Sequence, residues 1–178
     1  MGDLKTMSPL LTRLATPADA NSAVEVLRRS IRELCEADHQ HDEPTLERWL
    51  RNKTPEHFRA WCENPDQRVL IAELGAAAVG VAALHRSGDI RLCYVHPNFV
   101  RAGVGRALLC ALEAQVQAWG LSELKLDSSL TARHFYERCG FTSAGQPTPK
   151  FGRVSGYPYL KRLAPSSAVG SAAHGLDR

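Results

Sequence analysis

The stretch Tyr94-Val95-His96-Pro97-Asn98-Phe99-Val100-Arg101-Ala102-Gly103-Val104-Gly105-Arg106-Ala107-Leu108-Leu109 decides how this chain is read. An apolar, β-prone run ends at Val95, a proline-marked loop follows, and a glycine pair then opens an amphipathic helix. Strand, glycine loop and helix N-terminus together make a phosphate cradle. Glycine lets the main chain approach a ligand, and the first helical turn has unpaired N–H groups that carry roughly half a positive charge. Which phosphate ligand fits is decided by what lies on either side.

Downstream, Val104, Leu108, Leu112, Val116 and Trp119 keep helical spacing until Gly120, where a C-terminal glycine is expected. Residues 124–127 read as a strand. Because it follows a strand–helix crossover, it is expected to lie parallel to a strand at residues 90–95. Ser128 and Ser129 offer caps for a further helix, with Ala132, Phe135, Tyr136 and Cys139 on one face before Gly140. Residues 141–144 and 157–163 are late strands, joined by a loop containing proline and glycine.

Upstream, residues 68–74, 78–85 and 90–95 are apolar runs separated by short turns, which predicts an antiparallel meander. A short first strand is read at residues 10–14. Thr16-Pro17-Ala18-Asp19 then starts a helix whose core face is Ala20, Val24, Leu27, Ile31 and Leu34. The polar segment 37–44 reads as a loop, followed by short helical pieces around 46–50 and 55–62, the second capped at Thr54. Trp49, Phe58 and Trp61 read as packing residues. The His and Asp side chains of the loop have irregular spacing and no fourth ligand, so the expectation is no metal site.

Composition narrows the function classes. The chain has 178 residues, 44% hydrophobic and 23% charged, which fits one globular domain. A net charge of +3 is too mild to argue for nucleic acid as the main partner. The five cysteines are scattered, odd in number and never arranged as C-x-x-C, which argues against a disulfide framework or a structural zinc. No run approaches about eighteen consecutive apolar residues and no signal-peptide pattern opens the chain, so the expectation is a soluble cytoplasmic protein without membrane partners. The Ser-, Ala- and Gly-rich residues 164–178 are expected to be a disordered tail.

Two common phosphate motifs fail. A dinucleotide fold needs a third glycine and a βαβ series, whereas this strand ends a β-meander. A P-loop needs Gly-Lys-Ser/Thr, and the chain has Gly-Arg-Ala. The surroundings instead resemble the GNAT superfamily of acyl-CoA-dependent N-acyltransferases. That family's pattern is V-x-P, then Q/R-x-x-G-x-G/A opening a helix, then N-x-x-A-x-x-x-Y-x-x-x-G-F. Here the matching segments are Val95-His96-Pro97, Val100-Arg101-Ala102-Gly103-Val104-Gly105, and Ser129-Leu130-Thr131-Ala132-Arg133-His134-Phe135-Tyr136-Glu137-Arg138-Cys139-Gly140-Phe141. The segment from Asp127 to Arg138 is similar to the YafP-like branch. The chain departs at Val100, where Gln or Arg is usual, and at Ser129, where Asn is common.

The resemblance implies an α/β (α+β) fold over residues 8–163. Its central sheet would be mixed and mostly antiparallel, with helices on both faces and a parallel strand pair that splays to admit CoA. It implies an N-acetyltransferase acting by direct transfer from acetyl-CoA to a primary amine in a ternary complex. The alternative is a catalytically weak acyl-CoA-binding module of the same fold. Carried over residue by residue, Val100, Arg101, Ala102, Gly103, Val104, Gly105 and Arg106 would hold the pyrophosphate, with Arg101 and Arg106 adding charge. Cys93, Tyr94 and Val95 would pair with the pantetheine, with Ser129 beside it, and Tyr136 would donate a proton to the departing thiolate. Glu73, Asp89, His96 or a relayed water would serve as base. Segments 39–42 and 150–157 are expected to frame the pocket for a small-molecule or peptide amine, and dimers are common in the family.

Overall fold

Residues 79 and 81–84 are completely buried, which alternating one-sided patterning would not produce and which places their strand in a sheet covered on both faces. The computed structural model describes residues 8–165. Beyond Pro165, the segment expected to be a disordered tail lies outside the described residues.

The elements in chain order are β1 (Leu10–Leu14), α1 (Ala20–Leu34), α2 (Glu36–His39), α3 (Glu43–Leu50), α4 (Pro55–Glu63), β2 (Gln67–Leu74), β3 (Ala77–His85), β4 (Ile90–Val95), α5 (Val104–Ala118), β5 (Glu123–Ser128), α6 (Arg133–Arg138), β6 (Thr142–Ser143), β7 (Thr148–Phe151) and β8 (Val154–Arg162). β1 to β4 form an antiparallel sheet in sequence order, and β5, β8 and β6 form a second, with β7 paired to β8. The fold class expected from the resemblance is therefore observed.

Side-chain alternation assigns the two faces. Leu70, Ala72, Val79, Ala82 and Leu84 turn toward α5, whose Val104, Leu108, Leu109, Leu112 and Val116 form the stripe read from the sequence. Val69, Ile71, Val81, Ala83 and Leu92 turn the other way, against Ala20, Ala23, Val24 and Leu27 of α1 and Phe58 of α4. Removing this much apolar surface from water, at about 25 cal/mol per Å², is the main term holding both layers on the sheet.

The two sheets meet at one place. Asp89 and Lys125 form a single parallel bridge, with Lys125 N donating to Gly88 O at 3.0 Å. Beyond it, β4 pairs only with β3 and β5 only with β8. β4 and β5 are thus parallel, as expected, and splayed, leaving two unpaired strand edges facing one cleft.

Two local expectations are corrected. Residues 37–39, read as part of a polar loop, belong to α2, because Asp38 is drawn inside by Leu130 and Thr131, distant in sequence, and His39 by the Arg32 carbonyl of the preceding helix. Residues 148–151, read as loop on account of Pro149 and Gly152, form β7, because pairing with β8 supplies the ladder that local composition does not.

Candidate active site

The strand entering the site, Ile90–Val95, is β-branched at both ends and pairs with β3 through Gly80↔Val95, Val81↔Tyr94 and Ala82↔Cys93. Its other edge borders a cleft of about 710 Å³. Cys93, Tyr94, Ser129 and Tyr136, singled out in the sequence, all line that cleft. Val95 and residues 100–106 do not. They continue from the C-terminal end of β4 into the glycine loop.

That loop has the geometry of a backbone cradle. Pro97–Phe99 make one tight helical turn, Arg101 adopts φ 65°, and Gly103 caps α5 at φ 81°. The first intrahelical bond runs from Ala107 N to Gly103 O at 2.9 Å, so the N–H groups of Val104, Gly105 and Arg106 have no helical partner. The two glycines serve different ends. A Cβ on Gly103 would meet nothing within 4 Å, so glycine is needed there for its left-handed backbone. A Cβ on Gly105 would lie 2.9 Å from Cζ of Phe135, so that glycine lets α6 approach α5.

α6 carries Tyr136, 6% exposed, with its ring against Phe135 at 5.2 Å and Phe141 at 5.5 Å. Its hydroxyl and the Cys93 thiol are neighbours at the cleft. Burial first, and then the neighbouring Cys93 and Tyr94, push the Tyr136 phenol well above its ordinary range. The phenol therefore stays protonated. Burial likewise pushes the Cys93 thiol up to about 12, which leaves it a poor nucleophile. Ser129 Oγ accepts from Ala132 N at 3.2 Å and caps the turn that leads into α6.

The entrance to α6 is held from the far side of the chain. Asp38, 5% exposed on α2, accepts from Leu130 N at 2.6 Å, Thr131 N at 3.1 Å and Thr131 Oγ1 at 2.5 Å. Residues 39–42, expected to frame the pocket, lie outside the cleft lining. His39 is buried, with Nε2 donating to Arg32 O and Nδ1 accepting from His41 N. The second expected frame, residues 150–157, does line the cleft in part, through Lys150, Phe151, Val154, Ser155 and Gly156.

Of the three base candidates only Asp89 lines the cleft, where the two sheets join, accepting there from Ser87 Oγ. Glu73 is paired with Arg13 at 2.5 Å at the β1–β2 edge. His96 turns toward α1, with Nδ1 accepting from Asn98 N and Nε2 3.1 Å from Arg29 Nη1.

Sequence reasoning missed two cleft residues. Trp49 stacks on Phe151 at 6.0 Å, and its Nε1 donates to the Tyr94 hydroxyl at 3.2 Å. Lys53 is 4% exposed with no carboxylate against it among the described residues, and burial pulls its ammonium down to about 8. Neither had a sequence signal, because both are brought to the cleft by how α3 and α4 dock. Among the described residues, no group of three or more His, Cys, Asp or Glu side chains is arranged to hold a metal ion, and no helix is long and apolar enough to cross a membrane.

A family model described as an acetyltransferase (GNAT) domain matches residues 35–163. The chain is 31% identical over 102 residues to an uncharacterized N-acetyltransferase, YafP, of Escherichia coli (strain K12), spanning 52% of this chain and 64% of that protein. This chain thus covers less than two thirds of that relative. Among solved structures, a GCN5-related N-acetyltransferase from Rhodopseudomonas palustris superposes with a TM-score of 0.79 at 28% identity, over 89% of this chain and 98% of that one. The PaiA N-acetyltransferase from Thermoplasma acidophilum, solved in complex with coenzyme A, superposes with a TM-score of 0.75 over 87% of this chain and 99% of that one. At 19% identity it speaks for the fold alone.

Proposed function

Because this chain belongs to the GNAT acetyltransferase family, a family of acyltransferase enzymes, we propose that it moves an acetyl group from acetyl-CoA to a primary amine by direct attack in a ternary complex. The observation that carries this reading is the unpaired edge of β4. It runs from the closed end of the cleft to the glycine loop and passes Tyr136 at the level of Cys93.

The residues present fit the cosubstrate. Three helix-start N–H groups, at Val104, Gly105 and Arg106, together with the Arg101 and Arg106 side chains, suit a pyrophosphate. Val100, 48% exposed, offers only its backbone there. An extended amide chain such as pantetheine suits the open edge at Cys93, Tyr94 and Val95, where it adds as a strand would. Acetyl-CoA supplies the acyl group already activated as a thioester.

The protein's own part is positioning and proton movement. Main-chain N–H groups of β4 serve as donors where a carbonyl oxygen gains charge. The Tyr136 hydroxyl gives its proton to the departing sulfur. Asp89, through water, takes the proton that the attacking amine loses. Along a strand of about 3.3 Å per residue it stands four residues from Cys93, too far for direct contact.

The test is a pair of measurements on purified protein. Calorimetry is expected to show CoA binding, and thiol release from acetyl-CoA is expected to depend on an added amine from an acceptor panel. Binding without turnover on any amine would move the reading to an acyl-CoA-binding module. Absence of both would end it.

A further inference from the structure

The acceptor side of the cleft has a charge pattern that transfer to a simple amine does not use. Where α3 and the β7–β8 hairpin close on the cleft, Trp49 stacks on Phe151, and Lys53 lines the wall beside them. Lys53 follows α3 directly, with Lys53 N donating to Leu50 O at 2.9 Å, and its carbonyl accepts from Arg28 Nη1 at 3.2 Å. Its ammonium donates to a neutral amide oxygen, Oδ1 of Asn52, at 2.6 Å, and makes no ion pair among the described residues.

An adjoining hollow of about 380 Å³ is bordered by Arg48, Arg51, Asn52, Lys150, Phe151 and Gly152, and so shares Lys150 and Phe151 with the main cleft. No carboxylate borders it. Lys150 is paired with Asp127 across the cleft at 2.6 Å, whereas Arg48 and Arg51 make no ion pair among the described residues. Three cations thus border the smaller hollow, and a fourth, the buried Lys53, lines the cleft it adjoins; the acids of that cleft are Asp127, paired with Lys150, and Asp89 and Glu123. A desolvated charge is costly unless something of opposite sign meets it. Among the described residues Lys53 meets only neutral partners, the Asn52 amide oxygen and the face of the Trp61 ring 5.9 Å from Nζ, and no anion.

Nor do the phosphates of CoA account for the pattern, since none of residues 100–106 lines either hollow. We propose that the acetyl acceptor is a small amine that also bears an anionic group, a carboxylate or a phosphate, which Lys53 receives at the wall of the cleft while Arg48 and Arg51 draw it in. This rests on the acetyl-transfer reading. The aromatic pair Trp49 and Phe151 then packs the body of the acceptor, and cationic amines are disfavoured by the like charge at the mouth.

The experiment uses the full chain and matched pairs of amines: amino acids against their amides, and aminoalkyl phosphates against the corresponding amino alcohols. The wild-type protein is expected to favour the anionic member of one pair by at least about tenfold in kcat/KM. Whichever pair shows the preference identifies the anion. Arg51→Glu, at an exposed position, and Lys53→Met are both expected to lower that preference through KM, with CoA affinity by calorimetry unchanged. Indifference to charge, preference for neutral or cationic amines, or a preference that survives both substitutions would each overturn the proposal while leaving acetyl transfer intact. Loss of CoA binding and of all turnover in the wild type would instead overturn acetyl transfer, and this proposal with it.

Discussion

Tyr136 is held where a phenol is least able to ionise, inside the core formed by Phe135 and Phe141 and against the Cys93 thiol. If its hydroxyl serves the departing sulfur, Tyr136→Phe leaves CoA affinity near the wild-type value and lowers kcat by at least about tenfold, as calorimetry and steady-state rates would report. Because burial raises this pKa, the wild-type rate is not expected to fall through tyrosine ionisation below about pH 10. The two glycines of the loop separate just as cleanly. Gly103→Ala places a Cβ in open space at φ 81° and is expected to cost about 1 kcal/mol of stability together with phosphate affinity. Gly105→Ala drives a methyl into the Phe135 ring, an overpacking of about 1–3 kcal/mol that also displaces the neighbour of Tyr136. Urea unfolding of the two variants, set beside their CoA affinities, distinguishes a backbone role from a packing role.

The short element α2 is fastened to the turn that leads into α6 by a carboxylate more than ninety residues away from its partners. Asp38→Ala removes three hydrogen bonds to a buried charged acceptor and leaves the N–H groups of Leu130 and Thr131 unmatched. It is expected to cost about 3 kcal/mol in urea unfolding and to lower kcat, since α6 carries Tyr136. This contact also marks the limit of reading elements from sequence. The strand Ile90–Val95 and the buried stripe of α5 were legible because their signals are local: apolar alternation, a glycine pair, a helical period. α2 and β7 were not, because the first depends on Asp38 reaching residues 130 and 131, and the second on a ladder with β8. The site divides the same way. Tyr136 and the cradle belong to a spaced motif, whereas Trp49 and Lys53 reach the cleft only through the docking of α3 on the β7–β8 hairpin, sealed where Arg153 N donates to Thr45 Oγ1 at 3.1 Å.

At the scale of the whole molecule the cleft is the consequence of two sheets joined by one bridge, and its charge balance should be visible in global stability. Lys53 is held at a pKa of about 8, below the ordinary lysine value, because burial penalises its charged form. Below pH 8 the folded protein carries that penalty in full. As pH rises from about 8 to about 10.4, the folded state releases the proton before the unfolded chain does, and the penalty is relieved. The buried thiols of Cys35 and Cys93 act in the opposite sense. Their pKa values are raised to about 12, so above about pH 8.5 the unfolded chain loses protons that the folded state keeps, and stability falls. Cys62 and Cys139 are raised in the same sense, so the thiols together outweigh the one ammonium and stability falls with pH near pH 9.5, measurable by urea unfolding. Lys53→Met isolates the lysine from the thiols, which are common to both proteins. The variant is expected to be more stable than wild type at pH 7 by about 3 kcal/mol, an advantage that disappears toward pH 10. An anion that pairs with Lys53 stabilises its charged form, so saturating the wild-type protein with the preferred anionic acceptor at pH 7 should shrink the same difference, whereas its neutral counterpart should not.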